Sequence, residues 1–161
     1  MNLETIQTMW EKDSRIDPDE LHTASLVVPT LHAKYYQLFN DLRLLRAKAK
    51  KTYQKVYQDR YLYYSGKAEP EVYEKDPFPY KVREKDAIQR YLDSDEKLST
   101  IELKVEYYDT MISYLENIIK VVQNRTYQIK NAIEWQKFCL LYTSDAADDL
   151  LCVDLGGRRI I

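Results

Sequence analysis

The chain has 161 residues, 31% charged and 45% hydrophobic, with a formal net charge of −2. That length bounds it to one domain, or one core with an appendage. No apolar run approaches the roughly 20 residues of a membrane span, and the opening MNLETIQTMWEKD lacks the basic-then-apolar order of a secretion signal, so no membrane partner is expected and the cytoplasm is the default location. Three glycines and five prolines are too few for a strand-and-turn fold and favour long helices. The expected fold class is all-α, built on long amphipathic helices.

Asn2 is placed to cap a short helix carrying Leu3, Ile6 and Trp10 on one side, ending near Asp13–Asp17. Asp17-Pro18-Asp19-Glu20 then reads as a helix start, with Asp17 as cap and Pro18 at the first position. The second helix is predicted to run to Tyr64. Its stripe is Leu21, Ala24, Val28, Leu31, Tyr35, Leu38, Leu42, Leu45, Ala49 and Val56, three and four apart with one gap at Thr52. Pro29 is expected to kink that helix or split it. Gly66 supplies the stop.

The second half of this helix holds the most distinctive stretch of the chain. Between Arg43 and Arg60 lie Arg43, Arg46, Lys48, Lys50, Lys51, Lys55 and Arg60 against one acid, Asp59. Tyr53, Tyr57, Tyr61, Tyr63 and Tyr64 are threaded through it, and Lys67 follows. Cations neutralise phosphates, and flat rings stack on unpaired bases. Arg43, Arg46 and Lys50, with Tyr53, Tyr57 and Arg60, fall three or four apart, so one face carries both chemistries. The plainer reading is a solvated basic face with tyrosines in the core. The local charge excess in a nearly neutral chain favours a strand-binding segment over residues 43–67, with Lys51, Lys55, Tyr63, Tyr64 and Lys67 included.

Ala68 to Lys81, with three prolines, reads as a loop. Residues Glu84 to about Leu92 suggest a short helix, interrupted at Asp93-Ser94-Asp95. A last helix is expected from Ser99, with Glu102 in capping-box position. Its seam is Ile101, Val105, Tyr108, Ile112, Leu115, Ile119, Val122, Thr126, Ile129 and Ile133. Met111 and Ile118 widen it, while Leu103, Tyr114 and Val121 lie off it. A stripe this wide suggests a bundle or multi-chain barrel. Two long amphipathic helices leave apolar surface over, so homo-oligomerisation through Val105, Tyr108, Ile112, Leu115, Ile119, Val122, Ile129 and Ile133 is the economical solution. Burial within a helical monomer is the alternative.

The character changes at Cys139. CLLYTSDAADDLLCVDLGGRRII holds both cysteines and two of the three glycines. Cys139 to Asp148 and Cys152 to Ile161 resemble the translated transposon end and primer of a sequencing library, so 139–161 reads as a non-native tail. The natural chain is then expected to continue a few residues past Phe138. Without the tail, acidic and basic residues balance and no cysteine remains, which removes thiolate chemistry. The expected organisation is a helical region 1–67, a linker and short helix 68–98, an oligomerisation helix 99–138, and the tail.

Enzyme signatures are absent from the sequence. Neither phosphate-loop pattern is possible with these glycines. His22 and His32 are ten apart, off any metal spacing. Asp93 and Asp95 lack the glycine and distal glutamate of a calcium loop, so they read as a solvated interruption or a helix cap. No metal, cofactor or catalytic residue is expected.

With these residues in view, residues 1–138 resemble the UvsY family, recombination mediators of tailed phages. The match starts with the short helix ending in Lys12-Asp13 and the following Ile16-Asp17. Its most specific element is Arg60 with Tyr63-Tyr64-Ser65-Gly66-Lys67. Leu92 with Ser94-Asp95, then Arg125, Ile129-Lys130 and Phe138, extend it. The resemblance implies a non-enzymatic ring of six or seven subunits acting in the cytoplasm of an infected bacterium. It implies three partners besides its own copies: single-stranded DNA, a phage RecA-like recombinase and the phage single-strand-binding protein. The family motif carries a basic residue two before the arginine. Here that position is Gln58, leaving Lys55 and Lys67 as the nearby cations. The competing class is a structural coiled-coil scaffold of a phage, which needs the seams but not the clustered cations.

Overall fold

A computed structural model describes residues 2–80, 82 and 84–156, with side chains through residue 140. Residues 157–161 of the adapter-like tail lie outside the described residues. Five helices follow in order: α1 (Leu3–Asp13), α2 (Leu21–Tyr64), α3 (Pro70–Lys75), α4 (Lys85–Asp93) and α5 (Glu96–Gly156). There is no strand among the described residues, so the fold is all-α. No described helix is long and apolar enough to cross a membrane.

The chain divides into two compact units. The first joins Met1–Lys34 to Ile118–Ile161, and the second is Tyr35–Asn117. In the first unit Asn2 caps α1 by accepting a bond from the Thr5 amide at 2.9 Å, and Ile6 is fully buried. The expected start of α2 moves. Asp17 accepts from the Asp19 amide at 2.9 Å, and the Glu20 amide reaches the Asp17 carbonyl. Asp17 therefore closes a turn instead of capping, and the helix begins at Leu21. It then runs unbroken through Pro29. Pro29 and Ser25, whose carbonyl loses its helical partner there, are both exposed, so water can satisfy the gap. Leu21, Leu31, Ile118, Ile119, Val122 and Ile129 form this unit's buried apolar set with Ile6.

Among the described residues one charged group, Arg125, is buried there. The Arg125 guanidinium donates to the carbonyls of Asp13 (2.9 Å), Ser14 (3.3 Å) and Arg15 (2.8 Å). These are carbonyls that the end of α1 leaves without helical partners, and a cation suits the negative end of the helix dipole. Burial pulls the Arg125 pKa down, and the nearby Asp13 charge works against that. Lys34 also pairs with Asp13, so α1 is tied to both long helices of its unit.

In the second unit, Tyr35, Leu42 and Ala49 of α2 and Leu98, Met111, Ile112 and Leu115 of α5 are buried. The two segments run antiparallel, as Arg46 pairs with Asp109 and Arg60 with Asp95. Helix α2 ends in two capping bonds, Lys67 amide to Leu62 carbonyl at 2.9 Å and Gly66 amide to Tyr63 carbonyl at 3.2 Å. Gly66 sits at φ +74°, the left-handed turn that this ending requires. The short helix α3 forms inside the stretch read as a loop. Helix α5 starts at Glu96, three residues early, because Asp95 caps it through the amides of Lys97 (2.9 Å) and Leu98 (3.3 Å). It continues through Cys139, since no glycine or proline follows before Gly156.

Candidate nucleic-acid interface

The basic stretch of α2 divides into two faces. Lys48, Lys51 and Lys55, three and four residues apart, are all exposed. Among the described residues no ion pair engages any of them. Arg43, Lys50 and Lys67 are exposed as well, and the Arg43 guanidinium lies over the Phe39 ring at 5.4 Å. Arg46 is half-buried and committed to Asp109, with one contact at 3.0 Å.

The aromatic face turns inward. Tyr53 and Tyr57 are half-buried, with ring centroids 6.1 Å apart, and the Tyr57 hydroxyl donates to Gln89 at 3.1 Å. Lys50, Tyr53 and Gln54 line an open groove of about 320 Å³ with Glu102 and Val105. Burial raises the Tyr53 pKa, with Glu102 adding to it. This groove is where one cation, Lys50, and one ring, Tyr53, of the predicted segment come together at the surface.

Arg60, Tyr63 and Tyr64 are placed differently. Tyr63 is 3% and Tyr64 8% exposed, and they anchor an apolar cluster with Ile88, Leu92 and Leu98. The Tyr63 ring is stacked by Tyr73 at 5.4 Å and by the Arg60 guanidinium at 4.3 Å. Tyr64 is stacked by Tyr91 at 5.5 Å and met edge-on by Phe78. Neither offers a free face to a base. The Arg60 side chain is 14% exposed and pairs with Asp95, whose side chain is 2% exposed. It also reaches Asp76 at 3.6 Å and the Tyr64 hydroxyl at 2.9 Å.

Asp95 is the centre of this corner. It accepts from Tyr64 at 2.7 Å while capping α5. Burial alone would raise its carboxyl pKa; hydrogen bonds from Tyr64 and Arg60 and the Arg60 charge overcome that and hold it below the usual range. Burial raises the Tyr64 pKa, and its bond to Asp95 adds to the rise. The motif arginine thus joins the end of α2 to the start of α5. Sequence reasoning could have found this partner, since Asp95 stands one turn before a periodic helix. Lys48, off the face read from the sequence, completes the exposed lysine stripe with Lys51 and Lys55.

The α5 seam is divided too. Ile112, Leu115, Ile119, Val122 and Ile129 are buried within this one chain, while Val105, Tyr108 and Ile133 keep partial exposure. Leu103 and Val121, off the seam, are 66% and 45% exposed. No cluster of metal-ligating side chains occurs among the described residues.

The family model described as "Recombination, repair and ssDNA binding protein UvsY" matches residues 9–140. The chain belongs to the UvsY family. Three crystal structures of the bacteriophage T4 recombination mediator protein UvsY share the fold. The lattice type II form gives a TM-score of 0.76 at 20% identity, covering 86% of this chain and 97% of that one. The type I form gives 0.75 at 18% identity, covering 83% and 98%, and the type IV form 0.73 at 17%, covering 86% and 98%. No curated protein sequence is significantly similar to the chain. UvsY proteins are non-catalytic mediators.

Proposed function

We propose that this protein is a recombination mediator that binds single-stranded DNA and helps a RecA-like recombinase displace the single-strand-binding protein, in the cytoplasm of the infected host. The observation that carries the reading is the exposed stripe Lys48–Lys51–Lys55, which no ion pair engages among the described residues, flanked by Arg43, Lys50 and Lys67. Phosphates would meet these cations. Tyr53 and Tyr57 would meet bases at the groove edge. Arg46, Arg60, Tyr63 and Tyr64, named with them from sequence, would act by holding the helix in place.

Self-assembly belongs to the same proposal. Each subunit offers few cations, and gathering copies multiplies affinity without new contacts. Val105, Tyr108 and Ile133 are the seam positions open to a neighbour. Ile112, Leu115, Ile119, Val122 and Ile129 would support assembly by keeping α5 folded. A strand held on such an assembly would be presented to recombinase.

A gel shift with short single-stranded oligonucleotides over a salt series tests the reading. Affinity is expected to fall with a log–log slope of about −0.7 per neutralised phosphate, with little sequence preference. A scaffold without a DNA role would show no shift even in dilute buffer.

A further inference from the structure

A second place on unit 35–117 has the chemistry of a base-binding site, and it lies outside the basic helix. Just beyond the Gly66 turn an open cleft of about 300 Å³ is lined by Ser65, Gly66, Tyr73, Phe78 and Tyr80, among others. Among the described residues its lining is aromatic, hydroxylic, small or aliphatic, and none is charged. Such a cleft takes a flat, neutral group.

One ring in it is set up to receive that group. Tyr80 is 61% exposed, yet it is braced. Its ring lies parallel to Tyr91, at 6.4 Å and 21°, and meets Phe78 edge-on at 5.7 Å and 72°. The Tyr91 ring is itself stacked on Tyr64. Tyr80 is therefore the outer member of a stack of rings rooted in the core. A braced tyrosine gives stacking area with little ordering cost. Tyr63 and Tyr64 cannot do this, since core partners cover their faces.

We infer that Tyr80 is a stacking platform for one unpaired nucleobase, in a cleft that supplies ring contact while the lysines of α2 supply charge. The inference rests on the proposed binding of single-stranded DNA and names a contact within it. The placement suits one strand. Lys55 and Ser65 are ten residues apart, about 15 Å along a helix, so a strand on the lysine stripe can reach the cleft within a few nucleotides. Exposed Lys67 stands next in the chain to Gly66.

Two oligonucleotides of equal length decide it, oligo(dT) and its fully abasic counterpart. The full-length wild type, Tyr80→Ala and Tyr80→Phe proteins are titrated against both. Tyr80→Ala is expected to weaken oligo(dT) binding at least about fivefold, the low end of what a stacked ring supplies. It should leave abasic binding unchanged, and Tyr80→Phe should bind both as wild type does. Photocross-linking of 5-iododeoxyuridine-substituted oligo(dT) is expected to label Tyr80. Unchanged oligo(dT) affinity in Tyr80→Ala, or equal loss on both oligonucleotides, overturns the platform while DNA binding itself stands. A wild type that binds neither oligonucleotide overturns both readings. Because Tyr80 is mostly exposed, near-ultraviolet circular dichroism should show that the Ala variant keeps its fold.

Discussion

Arg60 and the lysines one and two turns before it look alike in the sequence and differ in what surrounds them. The Arg60 guanidinium is held by one buried carboxylate, one partly exposed carboxylate, a phenol and two ring faces. Removing it leaves Asp95 charged and buried, which costs about 3–5 kcal/mol. Arg60→Ala should therefore lower the urea midpoint strongly, and Arg60→Lys should restore little, since an ammonium lacks the planar fork. The pair Lys51→Ala and Lys55→Ala should change stability by no more than about 0.5 kcal/mol per site, while weakening strand binding. If Arg60→Ala melted like wild type and lost only DNA affinity, Arg60 would be a contact residue after all. The same corner sets an acid limit. The folded Asp95 pKa lies below its unfolded value of about 4, so the unfolded chain takes up the proton first. The stabilisation is full above the unfolded pKa and is lost as pH falls through the folded one. Asp95→Asn should be less stable at neutral pH and lose less on acidification, as urea titrations at pH 7 and about pH 3 would show.

Helices were legible where a period and a cap agreed, and misplaced where a local bond competed. Asn2 caps α1 as read, and Gly66 ends α2 as read. Asp17 carried the same cap chemistry but spent it on a turn with Asp19, which the pattern of residues does not distinguish. The region after Gly66 looked like a loop because prolines dominate it, yet Pro70 opens α3 at the position a proline favours. Half of the candidate interface could be read. The basic excess was visible, but which face of α2 turned inward depended on Asp95, Asp76 and Asp109, all distant in sequence. Two predictions belong to these joints. Gly66→Ala should cost about 1 kcal/mol from backbone strain alone, because an added methyl meets nothing within 4 Å; thermal melting would measure it. Arg125→Ala should free the end of α1, since three carbonyl bonds go at once. Amide exchange across residues 3–16 should speed up markedly more than exchange in 42–49. Uniform acceleration would mean that Arg125 supports the whole fold instead.

At the scale of the whole molecule, the proposed strand binding would rest on few exposed cations in each copy of the chain. Linked sites are the physical answer, and α5 offers a direct way to test it. Val121 and Val122 are neighbours with opposite environments, one 45% exposed and the other 0%. An aspartate at Val122 puts a carboxylate into a fully buried apolar position, so the chain should lose its cooperative melt. An aspartate at Val121 meets water and should leave the melt within about 0.5 kcal/mol of wild type. If copies join through the exposed side of α5, Val121→Asp should nonetheless lower the mass seen by sedimentation at micromolar concentration. Strand affinity should then fall with that mass, although no lysine has been touched. The loss should be larger on long oligonucleotides than on ones spanning a single subunit, because only the long ones engage several copies. A Val121→Asp protein with unchanged mass would move assembly to the partly exposed seam positions Val105, Tyr108 and Ile133. A wild-type protein that stays a single chain at every concentration, yet binds strands tightly, would remove avidity from the mechanism and leave the lysine stripe to account for all of the affinity.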